Sequence, residues 1–320
     1  MKQIKFREMF LLILLLFLAS LAAIVLLIAY VCYRMAFFAS RKEEENADEF
    51  AIPEGDIYEP YRDVMVKWMK EARALPHDDI SIVSFDGLTL WGKYYEFAPG
   101  APIELMFHGY RGNADRDLCG GVQRCFSLGH SALIVDQRAC GKSDGNKITF
   151  GVLESRDCLS WLDYMVDRFG PEQEIILCGI SMGAATVTMA AGMPLPANVT
   201  SVLADCGYTS AKEIIEKVIK VDMKLPPKLA YPFVKLGAKV FGGFDLEENP
   251  PIDAVTNTKI PIIFIHGSND AFVPCDMSRR CHEANPGMTQ FVSIPGAGHG
   301  LSYLVDKETY LAVLREFWHL

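Results

Sequence analysis

No position from Met9 to Cys32 carries a charge, and nearly all are apolar. The run exceeds the roughly 20 residues a helix needs to cross a hydrocarbon core of about 30 Å. It predicts a transmembrane helix over residues 9–33, after a short tail at 1–8. Residues 34–75 read as a linker and a juxtamembrane helix. The stretch 35–56 is polar and holds Pro53 and Gly55; Tyr61, Met65, Trp68, Met69 and Ala72 then recur at the spacing of one helix face. From Ile80 the period becomes two. Ile80–Phe85 and Leu88–Tyr95 alternate around Asp86-Gly87, the pattern of a β-hairpin with an Asp-Gly turn.

Short apolar runs then alternate with helical patterns. The runs are Ile103–Phe107, Ala132–Val135, Glu174–Cys178, Val199–Leu203, Ile260–Ile265 and Gln290–Ile294. Helical periodicity falls at Asp117–Leu128, Val152–Phe169, Met182–Ala191, Met277–Ala284 and Tyr303–Trp318. Near-continuous apolar strands separated by helices imply a mostly parallel central sheet with helices on both faces. Residues 76–320 are expected to form this one α/β domain. The stretch at about 207–253 breaks the alternation. It is rich in prolines and bulky apolar groups, with one stripe at Ile214, Ile215, Val218 and Ile219, and reads as a small helical cap inserted between two strands. An ordinary long crossover is the alternative.

The chain of 320 residues has a net charge of −9 and nine cysteines. With no basic excess to displace phosphate counterions, nucleic-acid binding is excluded as an expectation. The acidic run Glu43, Glu44 and Glu45 reads as a solvated spacer. No Cys/His spacing matches a zinc site. Cys119 with Cys125 and Cys275 with Cys281 are the nearest candidate disulfides, but the odd, scattered set reads as free thiols. A cleaved signal peptide would have an apolar region of roughly 7–15 residues and a small-x-small site after it. Here the run is longer and Ala19, Ser20, Ala22 and Ala23 lie in its middle, so an uncleaved single-pass anchor in the cell membrane is expected. Lys2, Lys5 and Arg7 balance Arg34, Arg41 and Lys42 across it. The very short tail favours a cytosolic N-terminus and an extracytoplasmic domain; the thiols pull the other way.

The strongest chemical signal is Gly179-Ile180-Ser181-Met182-Gly183, between an apolar strand and a small-residue helix. G-x-S-x-G in this setting puts Ser181 on a sharp strand-to-helix turn, where the helix N-terminus faces developing negative charge. A serine hydroxyl needs a base. His299, in Gly296-Ala297-Gly298-His299-Gly300 just after a strand, is the candidate. Asp270, in Gly267-Ser268-Asn269-Asp270, is the candidate carboxylate to orient it; Asp205, ending the strand after Ser181, is the competitor. The order Ser181, Asp270, His299 suits such a triad. Backbone N–H groups of Met182 and Tyr110 are the expected oxyanion donors, Tyr110 lying in His108-Gly109-Tyr110-Arg111-Gly112-Asn113. His108 is read as holding that loop, and Asp136 and Arg138 as braces. Gly141-Lys142-Ser143 falls short of a phosphate-binding loop, because position 136 would have to be glycine.

Together HGYRGN, DQRACGKSDG, GISMG, ADCGY, IHGSND and GAGHG resemble the α/β-hydrolase superfamily over roughly residues 76–320. They are most similar to bacterial membrane-anchored hydrolases of the serine aminopeptidase-like and dienelactone-hydrolase-like branch. The resemblance implies a Ser181-Asp270-His299 triad, no cofactor and no metal. It departs from that branch in a short cap, and in serine where dienelactone hydrolases carry cysteine. The reading is a serine hydrolase, esterase-, lipase- or thioesterase-like, acting on a small-molecule or lipid acyl substrate. Alternatives are a peptidase or amidase, for which Glu213, Glu216 and Asp222 would offer acidic groups, and a catalytically inactive binding module.

Overall fold

The structure, a computed structural model, describes residues 2–39 and 50–320. The acidic run at 43–45 lies outside the described residues. The chain divides into two compact units. One is the N-terminal segment to Phe38 together with Ile215–Leu246; the other is the rest.

The larger unit is built on one eight-stranded sheet in the order β1-β2-β4-β3-β5-β6-β7-β8. Its strands are β1 Asp78–Val83, β2 Thr89–Tyr95, β3 Ile103–Phe107, β4 Ser131–Asp136, β5 Ile175–Ile180, β6 Val199–Asp205, β7 Ile262–Gly267 and β8 Thr289–Ile294. β1 pairs antiparallel with β2, and β2 antiparallel with β4; every later pairing is parallel. The hairpin and the mostly parallel sheet are as expected. The order is not sequential: β4 lies outside β3, between it and β2. A parallel strand needs a crossover, and helix α3 (Cys119–Ser127) supplies one between β3 and β4.

Alternate residues of each strand feed two cores. Leu105, Phe107, Leu133 and Leu177 pack with Trp161, Leu162 and Met165 of α4 (Glu154–Phe169) and with Ala184 and Val187 of α5 (Met182–Ala191). On the other face Met106, Ile134, Ile176 and Ile263 pack with Val122 and Cys125 of α3 and with Leu311 and Leu314 of α10 (Lys307–Trp318). β3, β5 and β7 are almost wholly buried, which explains their continuous apolar sequence.

Helix α2 (Arg62–Ala74) buries Met65, Met69 and Ala72, the predicted face. A 3₁₀ turn at Glu59–Tyr61 precedes it. The helix expected over 303–318 is broken. Ser302–Val305 forms one turn, and Asp306 then starts α10 by accepting the Thr309 N–H at 3.0 Å. No disulfide links the nine cysteines among the described residues.

The smaller unit joins α1 (Lys2–Ala36) to an inserted segment between β6 and β7. That segment carries α6 (Ala211–Val221), α7 (Pro227–Gly237) and a π-helical turn at Ala238–Gly242; α8 (Pro251–Asn257) and α9 (Cys275–Ala284) follow in the larger unit. Arg7–Ala36 is one helix long and apolar enough to cross a membrane.

Candidate active site

β5 ends at Ile180 and α5 begins at Met182, so Ser181 carries the whole change of direction. Its backbone stands at φ 57°, ψ −116°. A non-glycine residue there is strained by about 1–3 kcal/mol. Two glycines make the turn possible. A Cβ on Gly179 would lie 2.1 Å from the Gly183 carbonyl oxygen, and one on Gly183 would lie 2.0 Å from the Phe107 carbonyl oxygen. Both obstacles are backbone and cannot rotate away. Gly183→Ala is therefore expected to cost about 3 kcal/mol, read as a lower urea midpoint than wild type.

The loops after β7 and β8 meet at this turn. His299 Nε2 is 2.8 Å from Ser181 Oγ, and His299 Nδ1 is 2.6 Å from Asp270 Oδ2. Asp270 Oδ1 accepts the N–H groups of Phe272 at 2.9 Å and Val273 at 2.8 Å. The two loops are tied directly: Asn269 N–H donates to Ala297 O at 2.9 Å, and Gly296 N–H to Ser268 Oγ at 2.9 Å. A Cβ on Gly267 would fall 2.3 Å from Ala297 O, so the loops close only over glycine. The Phe272 ring packs edge-on to the His299 imidazole, centroids 5.1 Å apart.

Burial works to raise the Asp270 pKa. Hydrogen bonds from His266 and His299, with the pull of both rings, outweigh it and hold the carboxyl at about 2. The site therefore contains a carboxylate at neutral pH. A depressed pKa adds stability that is present above the unfolded value near 3.9 and is lost as pH falls through the folded one. The stability difference between wild type and Asp270→Asn is expected to shrink as pH falls from about 4 to 2, measured by urea unfolding at each pH.

The sequence reading overlooked His266. It ends β7, fully buried, with Nε2 3.1 Å from Asp270 Oδ2 and 2.9 Å from Val273 O, and Nδ1 2.7 Å from Ser278 Oγ. Two acceptors facing Nε2 require the proton there. His266 is thus a second imidazole donor to Asp270. A polar residue closing an otherwise apolar strand, four positions before the aspartate, was the available signal.

The loop after β3 lies against the serine. A Cβ on Gly109 would come within 3.6 Å of Ser181 Cβ. Tyr110 follows, its ring 5.1 Å from that of Phe150; Met182 opens α5 on the opposite side of Ser181 in sequence. His108 is fully buried, with Nδ1 2.7 Å from Gly109 O and Nε2 accepting the Gln137 N–H at 3.0 Å. Burial lowers its pKa. It fastens the β3 and β4 loops to each other.

Asp205 has other partners. Its carboxylate accepts from Tyr310 OH at 2.9 Å and Ser302 Oγ at 3.3 Å. Asp136 accepts the N–H groups of Ala114 and Lys142, both at 2.9 Å, so the amide a phosphate would need at Gly141-Lys142-Ser143 is already engaged. Arg138 makes bidentate pairs with Asp157, at 2.6 Å on both arms, and with Asp86, at 3.0 and 3.1 Å. Cys206 joins Asp270 and His299 in a group whose ligand atoms lie within 4.8 Å of one another. Burial, then the Asp205 and Asp270 charges, push its thiol well above the ordinary range. A protonated thiol beside an already paired imidazole and carboxylate is a poor cation site.

Comparison with known proteins agrees with this architecture. Residues 105–229 match a family model described as the alpha/beta hydrolase fold. An uncharacterized protein of Bacillus subtilis, YqkD, is 25% identical over 306 residues, 95% of this chain and 96% of that one. Esterase LipC of Mycobacterium tuberculosis is 25% identical over 172 residues, 49% of this chain and 42% of that protein. The Pyrococcus furiosus esterase Pf2001 superposes with a TM-score of 0.63 at 23% identity, over 78% of this chain and 92% of its own. Est1E of Butyrivibrio proteoclasticus gives 0.56 at 18% identity, over 75% and 97%. The sheet order, the strand-to-helix turn at Ser181 and these matches show that the chain has the α/β-hydrolase fold.

Proposed function

We propose that this chain is a serine hydrolase that cleaves a carboxylic ester or related acyl bond through an acyl-enzyme. One observation carries the reading. Ser181 Oγ, His299 and Asp270 form a continuous hydrogen-bonded line at 2.8 and 2.6 Å, with the serine on a strained turn at a helix N-terminus. Asp270, ionised at neutral pH, accepts a hydrogen bond from Nδ1–H and leaves Nε2 as the base. His299 takes the Ser181 proton as Oγ attacks the carbonyl carbon. The N–H groups of Met182 and Tyr110 hold the oxyanion. His299 then protonates the leaving group, and later activates the water that releases the acyl product. No cofactor is required.

The substrate is read as having an apolar acyl group. Phe272 on the imidazole, the Tyr110 and Phe150 rings beside the serine loop, and the apolar helix α1 support this. The peptidase alternative loses ground because two of the three acidic groups suited to a free amine, Glu213 and Asp222, are engaged. Glu213 pairs with Arg280 at 2.5 and 3.1 Å, and Asp222 with Lys217 at 3.6 Å. We read α1 as an uncleaved anchor; N-terminal sequencing of the carbonate-resistant membrane protein tests that.

The enzymatic test is fluorophosphonate labelling of the full chain, followed by a panel of short- to long-acyl nitrophenyl esters and aminoacyl anilides. Labelling and turnover of acyl esters are expected. Folded protein that takes no label, or that prefers the anilides, overturns the ester reading.

A further inference from the structure

The smaller unit has an outward side that a water-soluble surface does not explain. On its inner side α7 meets α1 backbone to backbone: a Cβ on Gly237 would fall 2.4 Å from Ala29 O. Phe241 packs on the rings of Tyr30 and Tyr33, at 5.2 and 6.3 Å, and Phe244 packs on Phe37 at 5.3 Å. Ala29, Tyr33 and Phe37 are buried there, as are Tyr231, Val234 and Ala238. Away from that contact, Val221, Met223, Leu225 and Leu229 are exposed, Leu229 to 69%. Exposed lysines, Lys220, Lys224 and Lys228, interleave with them.

Charge is also distributed unevenly. Ile215–Leu246 holds six lysines against three acids, a net +3 in a chain whose net charge is −9. Bulky apolar side chains alternating with lysine are the composition of a segment that lies in a membrane interface, apolar groups at the acyl boundary and ammonium groups among the phosphates.

The helix sets the height. Every residue from Arg7 to Ile24 is exposed; Val25 is the first to be covered, and Ala29 the first to be buried. That bare stretch is roughly 27 Å long at 1.5 Å per residue, close to the hydrocarbon thickness of about 30 Å. The inserted segment therefore starts where α1 leaves the hydrocarbon.

We propose that the α6–α7 turn docks on the headgroup layer of the anionic leaflet from which α1 emerges, with Val221, Met223, Leu225 and Leu229 at the acyl boundary and Lys220, Lys224 and Lys228 on lipid phosphates. The occupant is the bilayer that α1 crosses. The proposal rests on α1 staying as an anchor and is independent of the chemistry at Ser181.

The test uses the full chain in nanodiscs of phosphatidylcholine, with and without phosphatidylglycerol. A photoreactive benzophenone residue is placed at 223, at 229, or at the exposed strand position 83 of the larger unit. Lipid adducts several-fold above those at 83 are expected from 223 and 229. The combined change Lys220→Glu, Lys224→Glu and Lys228→Glu is expected to cut them several-fold only when phosphatidylglycerol is present, with fluorophosphonate labelling unchanged. Retention of the chain with no excess adducts at 229 overturns the docking alone. Loss of the chain from the nanodiscs overturns the anchor and the docking together. A crosslinked dimer in place of lipid adducts assigns the face to a second copy, and likewise overturns the proposal.

Discussion

Ser181→Ala is expected to lower kcat/KM for any ester substrate by about 10⁴-fold or more and to abolish fluorophosphonate labelling, with the fold intact. On the proposed mechanism the loss is a transition-state loss: with no Oγ there is no acyl-enzyme, and His299 has nothing to deprotonate. About 10⁴ in rate corresponds to roughly 5.5 kcal/mol of barrier. Stability separates two inactive variants. At φ 57° the serine holds strain that alanine keeps and glycine removes. Ser181→Gly is therefore expected to be inactive yet about 1 kcal/mol more stable than Ser181→Ala. Paired kinetics and urea unfolding of the two variants read this. Residual activity in Ser181→Ala within tenfold of wild type would sink the mechanism.

The second large effect lies away from the site. Glu104, on the middle strand β3, is wholly buried and faces α3 and β4 rather than water. Its carboxylate meets Arg124 Nη2 at 2.5 Å, His130 Nδ1 at 2.9 Å and the Cys178 thiol at 2.9 Å. Burial alone would raise its pKa; Arg124 and His130 hold it at about 2. Arg124→Met strands that charge and is expected to cost about 3–5 kcal/mol, a large share of a typical total of about 5–15 kcal/mol. Its pH dependence also reverses. In wild type the pair adds stability above about pH 4.5 that is lost as pH falls toward 2. In the variant the pull of Arg124 is gone and burial, the largest influence, favours the neutral carboxyl despite the His130 and Cys178 contacts, so lowering the pH is expected to stabilise. Arg124 Nη1 has no hydrogen-bond partner among the described residues, so the network is incompletely satisfied there. Replacing both partners, Glu104→Leu with Arg124→Met, should recover most of the loss. A urea series on the three variants at two pH values measures it; a single mutant as stable as wild type would mean that water reaches Glu104.

Both predictions turn on residues whose surroundings differ in how far the chain advertises them. The apolar runs of β3, β5 and β7 were legible because strands buried on both faces lose their alternation, and α5 because a small-residue helix follows the glycine-framed serine at once. The order Ser181, Asp270, His299 was legible because each follows a strand. His266 was only hinted at: a polar residue closing an apolar strand four positions before Asp270 marks a candidate, but its bond to that carboxylate forms only when the loop after β7 folds back. Glu104 and Arg124 are 20 positions apart and became partners only when β3 and α3 packed face to face.

By itself, then, the sequence determined the periods: where most strands and helices fall, where the chain turns on glycine, and which candidate nucleophile, base and carboxylate are on offer. These are local properties, set by side-chain size, polarity and backbone freedom within a few residues. Only the tertiary structure decided the position of β4 outside β3, the approach of His266 to Asp270, and the packing of α7 on the last turns of α1. Each depends on which surfaces meet across long separations. Such encounters are selected by close packing and by satisfaction of buried polar groups, and neither is written in any single stretch of the chain.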